Sequence, residues 1–90
     1  MALRVEYTQG GRRALEKVPR GPAKALAGAI KALARDPYPL GSKQLGGPLR
    51  DYHRITVDDY RAIYFVEGDT VVVVLVGHRR DVYQVAKRRL

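Results

Sequence analysis

Val71 to Val76 is a run of six consecutive apolar residues, five of them valine, with no polar position to turn toward water. Branched side chains at that density favour a strand. A strand with no polar face must be covered on both sides, which puts it inside a sheet rather than at its rim. The residues before it complete a hairpin. Asp59 to Val66 holds a second, largely apolar and aromatic run, and Glu67, Gly68 and Asp69 form the turn between the two. Arg61 stands where the hairpin begins, and Gly77-His78-Arg79-Arg80-Asp81-Val82-Tyr83 follows where it ends. Cationic and phenolic groups therefore leave the most rigid element available, a good mounting for a site.

The rest of the chain supplies the cover. Leu3 to Tyr7 alternates apolar and polar residues, as a strand with one buried face does. Thr8 offers an N-cap to a first helix with Ala14, Leu15 and Val18 as its apolar stripe, and Pro19 stops it. A second helix is expected over about Pro22 to Arg35, with Ala23, Leu26, Ala27, Ile30, Leu33 and Ala34 on one face. Lys24, Gly28, Lys31 and Arg35 take the other face. Asp36-Pro37 ends this helix, because a residue before proline is pushed out of helical dihedrals. Leu40 to Pro48 reads as a loop rich in Gly and Pro, and Leu49 to Val57 as a strand. On that strand Tyr52, Arg54 and Thr56 share one face, with Asp51, His53, Ile55 and Val57 on the other. If the strand pairs simply through the turn at Asp58-Asp59, Arg54 and Arg61 lie on the same side. Asp81 to Leu90 forms a short last helix. The expected fold is one α+β domain over residues 1–90: a helical hairpin packed on a mainly antiparallel four-stranded sheet, in the order β-α-α-β-β-β.

Charge points to a partner. Seventeen Lys and Arg stand against nine Asp and Glu, a net charge of +8, which suits a polyanion and first of all a nucleic acid. Half of that excess lies in residues 77–90, where Arg79, Arg80, Lys87, Arg88 and Arg89 face the single acid Asp81. The chain has no cysteine, so disulfides, thiolate metal sites and a cysteine nucleophile are excluded. No apolar run approaches the ~20 residues of a membrane span, and the N-terminus lacks a signal-peptide layout. A cytoplasmic protein is expected. Phosphate-cradling glycine loops and metal-ligand clusters are missing, and Ser42 has no triad around it. Metal-dependent, acyl-transfer and nucleotide-binding enzymes are disfavoured.

What remains is a set of arginines with a tyrosine: Arg54, Arg61, Arg79 and Tyr83, joined by Lys43, His53 and His78. Guanidinium groups grip phosphate oxygens in pairs and stabilise charge that builds on phosphorus. Tyrosine and histidine move protons or stack on a base. A ribonuclease needs no metal or cofactor beyond such a set, because RNA brings its own nucleophile in the 2′-hydroxyl. Each residue also has a plainer use. Arg54 and Arg61 can pair with Asp51, Asp58 or Asp59, Arg79 and Arg80 can be a solvated run, and Tyr83 can be a core residue.

Leu49-Arg50-Asp51-Tyr52-His53-Arg54-Ile55-Thr56-Val57-Asp58-Asp59-Tyr60-Arg61-Ala62-Ile63-Tyr64 resembles a stretch of the RelE/ParE toxin superfamily. Val76 to Tyr83 is similar to that family's closing V-x-H-R-x-x-x-Y element. Asp36-Pro37 and Gly-Ser-Lys-Gln-Leu at residues 41–45 fit the same layout. The resemblance implies a RelE-like fold and a toxin of a toxin–antitoxin pair. In RelE-type members the activity is ribosome-dependent endonucleolytic cleavage of mRNA in the A site; ParE-type members poison DNA gyrase. It further implies that Arg54 and Arg79 bind the phosphate, that Arg61 stabilises the transition state, and that Tyr83 and His78 move protons or orient the base. Lys43, Arg80, Lys87, Arg88 and Arg89 are the candidate RNA contacts. Thr56 stands where some members carry a second basic residue, and it can neither protonate a leaving group nor neutralise a phosphate. Either a histidine takes up part of that role or the activity is weaker; His53 ranks below His78 because it faces away from Arg54. The implied partners are mRNA on the 70S ribosome and a cognate antitoxin in a hetero-oligomer. The alternatives are a gyrase inhibitor, or a catalytically weak toxin kept for antitoxin binding and autorepression.

Overall fold

The computed structural model describes residues 2–90. In chain order it comprises β1 (Arg4–Tyr7), α1 (Gln9–Glu16), α2 (Arg20–Ala32), β2 (Lys43–Gln44), a 3₁₀ turn (Gly47–Leu49), β3 (His53–Val57), β4 (Tyr60–Glu67), β5 (Thr70–His78) and α3 (Val82–Arg89). The strands form one sheet in the order β1-β5-β4-β3-β2, with β1 parallel to β5 and every other pair antiparallel. The valine-rich strand β5 thus lies inside the sheet and is covered on both faces. On one side Val71, Val73 and Val76 pack with Val18, Leu26, Ile30 and Leu33 of the helical hairpin. On the other, Val74 and Leu75 pack with Leu49, Val82 and Ala86. Among the described residues no helix is long and apolar enough to cross a membrane.

The helices follow from local chemistry. The Thr8 hydroxyl accepts a hydrogen bond from the Gly11 N–H at 3.0 Å and starts α1. Helix α2 begins at Arg20, directly after Pro19, with Pro22 still in its first turn, where no N–H is needed. Leu26, Ile30 and Leu33 are 0%, 0% and 1% exposed, and burying each contributes about 1.5–3 kcal/mol. Ala27, expected on that face, is exposed; Ala29 packs there instead.

Two expectations are corrected. The sheet has five strands, not four, because Lys43 and Gln44 pair with Arg54 and His53. Two residues between glycines and prolines carry no periodicity, so this strand was invisible as a pattern. The strand expected over Leu49 to Val57 begins only at His53, and Gly47–Leu49 makes a 3₁₀ turn that tucks Leu49 under α3. The Asp58-Asp59 turn is as expected. Asp58 takes φ +52°, a left-handed conformation that aspartate tolerates.

The register of β4 and β5 slips by one residue. Ile63 pairs with Leu75 but Tyr64 pairs with Val73, which makes Val74 the extra residue of a β-bulge. Beyond the bulge the alternation of β5 is inverted. Val71 and Val73 face the helical hairpin before it, and Val76 and His78 do so after it.

Tyr64 is fully buried, and its hydroxyl donates to the Pro37 carbonyl, tying β4 to the segment after α2. Burial pushes its pKa up to about 12, slightly opposed by the Ser42 hydroxyl. Between the ordinary value of 10.0 and about 12 the folded state keeps a proton that the unfolded chain loses, so stability falls as pH rises through that window. Tyr64→Phe is expected to cost about 1–2 kcal/mol near neutral pH, since it orphans the carbonyl. Thermal melts should show the gap between wild type and variant narrowing above pH 10.

Candidate functional site

Strand pairing assembles a cationic surface. Lys43 stands opposite Arg54, and Thr56 stands opposite Arg61. Paired residues share a face, as do alternate residues along a strand. Lys43, Arg54, Thr56 and Arg61 therefore project from the side of the sheet that carries Ile63 and α3. Arg54 and Arg61 are diagonal neighbours, about 7–8 Å apart by sheet geometry.

Neutral acceptors hold both guanidinium groups. Arg54 Nη1 donates to the Gly41 carbonyl at 3.1 Å and to Thr56 Oγ1 at 3.0 Å. Gly41 has φ +95°, a conformation open to glycine, and this turn presents the carbonyl. Arg61 Nη1 donates to the carbonyls of Asp58 at 2.9 Å and Tyr60 at 3.1 Å. Neither arginine takes the carboxylate partner that would make it merely structural. Among the described residues the ion pairs are Arg4–Glu6 and Arg79–Asp59, and Lys43, Arg54 and Arg61 have none. Among the described residues each arginine bonds the protein through Nη1 alone, leaving Nε and Nη2 for a ligand. Three cations side by side repel, and a bound anion relieves that repulsion. Thr56 supplies no charge; it orients Arg54.

The remaining candidates divide. Tyr83, in the first turn of α3, is half-buried against the cluster on the Arg61 side. Arg79 follows β5 and meets the β3–β4 turn: its main-chain N–H donates to the Asp59 carbonyl at 2.7 Å and its Nε lies 3.4 Å from Asp59 Oδ1. His78 does not join them. It pairs with Tyr60, their rings meeting edge-on at 5.5 Å, on the side of the helical hairpin. Its Nδ1 accepts from the Arg80 N–H at 3.2 Å. The expected pairing of His78 with Tyr83 at one site is thus corrected, and the bulge at Val74 is the cause. His53 also faces the hairpin side, between the rings of Tyr38 (4.7 Å) and Tyr64 (6.0 Å). Arg80, Lys87, Arg88 and Arg89 are exposed, the last three at the C-terminal turn of α3, where cations suit the helix dipole.

A second feature escaped sequence reasoning. A cleft of about 500 Å³ opens between α1, the end of β5 and α3, with Arg13, Lys17 and Arg89 among its lining residues. The signal available was the spacing of Arg13 and Lys17, four apart on a helix and so on one face.

Over residues 5–83 the sequence matches the family described as ParE toxin of type II toxin–antitoxin system, parDE. No curated protein sequence matches. Among solved structures, the RelBE2 toxin–antitoxin complex from Mycobacterium tuberculosis contains a chain 29% identical to this one, with a TM-score of 0.77, over 88% of this chain and 100% of that one. A mutant of E. coli toxin RelE in the free state is 24% identical with a TM-score of 0.77, and each chain is covered over 100% of its length. The RelE–RelB complex from Methanococcus jannaschii gives 25% identity and a TM-score of 0.69 over 88% of this chain and 95% of that one.

Proposed function

The chain belongs to the ParE toxin family of type II toxin–antitoxin systems, and on that premise we propose that it is a ribosome-dependent endoribonuclease that cleaves mRNA in the A site. The observation that carries this reading is the face formed by Lys43, Arg54 and Arg61, three cations with no carboxylate partner among the described residues and with guanidinium nitrogens left over. The chemistry is transesterification. The ribose 2′-oxygen loses its proton and attacks the adjacent phosphorus, the bond to the 5′-oxygen breaks, and that oxygen takes up a proton. The products are a 2′,3′-cyclic phosphate and a 5′-hydroxyl. Arg54 and Arg61 hold the non-bridging oxygens through Nε and Nη2, and bind them more tightly as negative charge accumulates. Arg79 joins them by exchanging Asp59 for phosphate. Tyr83 moves a proton or stacks on the base. His78 takes no part in the chemistry, since its ring belongs to the Tyr60 side. Lys43 and the exposed cations of α3 contact the RNA backbone. The partner that restrains this activity is a cognate antitoxin.

A second reading, a gyrase poison, has the ParE family match in its favour. Primer extension on a defined mRNA, with programmed 70S ribosomes, separates the two. Discrete cuts within the A-site codon are expected, and none on the same RNA without ribosomes. An uncut message, together with loss of gyrase supercoiling, would replace the nuclease with the gyrase reading.

A further inference from the structure

We infer that the cleft between α1, the outer edge of β5 and α3 receives an extended acidic segment of the antitoxin, at the β5 edge of the sheet and away from the β2–β3 end that carries Lys43 and Arg54. The inference rests on the toxin–antitoxin reading and adds to it a place and a chemistry. Strand β1 accompanies β5 only as far as Val73, so among the described residues the last part of β5 has no strand on that side. The direction of its main-chain groups follows from the ladder. Arg79 N–H donates to the Asp59 carbonyl, so that pair is hydrogen-bonded. Hydrogen-bonded and non-hydrogen-bonded pairs alternate in an antiparallel ladder. The pairs Tyr60–His78 and Ala62–Val76 are then of the second kind, and Val76 and His78 turn their N–H and C=O groups away from β4. The His78 carbonyl already accepts from Asp81 N–H at 3.0 Å. Among the described residues the Val76 groups and the His78 N–H have no main-chain partner beyond the sheet, and Val76, itself buried, lies at the floor of the cleft; an extended chain that enters the cleft adds at such an edge.

The side chains specify what kind of chain. Arg13, Lys17 and Arg89 line the cleft against one carboxylate, Asp81, and none of the four is in an ion pair among the described residues. Val18, Val76 and Val85 supply an apolar floor. RNA would use the cations but not that floor, and the Tyr60 ring is already engaged by His78. A peptide uses both, setting its Asp and Glu on the basic rim and an aliphatic or aromatic side chain on the valines.

The test takes the cognate antitoxin at full length, together with overlapping synthetic peptides from it, and measures binding to the toxin by fluorescence anisotropy. One peptide with more acids than bases is expected to bind. Its Kd should rise about tenfold or more for Arg13→Glu/Lys17→Glu, a reversal of two rim charges, and should stay unchanged for Arg54→Ala/Arg61→Ala. Both cleft residues are exposed, so the double variant keeps its fold, and a thermal melt verifies this. Hydrogen exchange at the Val76 amide should slow on binding. Affinity that survives the double reversal, or is lost with Arg54 and Arg61, overturns the inference. So does a double variant that keeps the antitoxin but loses the ribosome (the cleft then takes RNA) or loses self-association (it then takes a second copy). If the wild type binds no antitoxin at all, the toxin–antitoxin reading falls with it.

Discussion

Arg61→Ala is expected to slow the proposed A-site mRNA cleavage by about 10²–10³-fold, the usual cost of removing one preorganised donor that stabilises transition-state charge. The loss should fall mainly on kcat, because the phosphorane carries more negative charge than the ground-state diester and gains more from a guanidinium. Stability should hardly change. The hydrogen bonds of Arg61 run to two main-chain carbonyls beside an exposed turn, and the residue belongs to neither core cluster. Such a replacement stays within about 0.5 kcal/mol. Arg61→Lys should recover only part of the rate, since an ammonium carries the charge without the planar fork that spans two oxygens. Arg54→Ala should show a comparable defect, and the double variant less than the product of the two, because in the proposed mechanism both act on one phosphate. Full ribosome-dependent cleavage by Arg61→Ala would move the chemistry away from this face.

Gly11 is a position where one added methyl group is expected to disturb folding. A Cβ there would overlap the main-chain carbonyl oxygen of Val73, and neither group is a flexible side-chain end that could swing aside. Helix propensity alone favours alanine over glycine by about 1 kcal/mol. Overpacking against a fixed backbone costs about 1–3 kcal/mol and can exceed that, so the steric term wins at this position. Gly11→Ala should lower Tm by several degrees, at about 4–8 °C per kcal/mol for a domain this small. Gly28 provides the opposite case within the same protein. It lies in α2, is exposed, and a Cβ there would meet nothing within 4 Å. Gly28→Ala should therefore raise Tm by the propensity term. Two variants of like chemistry and opposite sign isolate the close approach of α1 to β5. If Gly11→Ala were also stabilising, that approach would be wrong.

Much of the candidate site's placement was legible because side-chain direction in a strand has a period of two. Arg54 and Thr56 could be put on one face from spacing alone, and a two-residue turn at Asp58-Asp59 sufficed to bring Arg61 to the same side. Tyr83 needed only the helix it starts. Lys43 was readable as a loop cation. Its position across from Arg54 was not, because a strand of two residues leaves no periodic trace. Thr56 looked like a missing base; only the fold shows it accepting a hydrogen bond from Arg54. Gly11 looked like a weak helix start, and its packing use depends on a strand more than sixty residues away in sequence.

What the sequence determined by itself is whatever depends on near neighbours along the chain: the helices and their caps, the valine strand that must be interior, the hairpin turns, and the charge. What only the tertiary structure decided is how those pieces are phased against one another. One extra residue at Val74 inverts the alternation of β5 and carries His78 from the side of Arg54 and Arg61 to the side of Tyr60. The uninterrupted apolar run gives no sign of it, since either phase buries valine or leucine equally well and hydrophobicity cannot choose between them. The choice is made by the packing of β5 against β4 and the helices on its two faces.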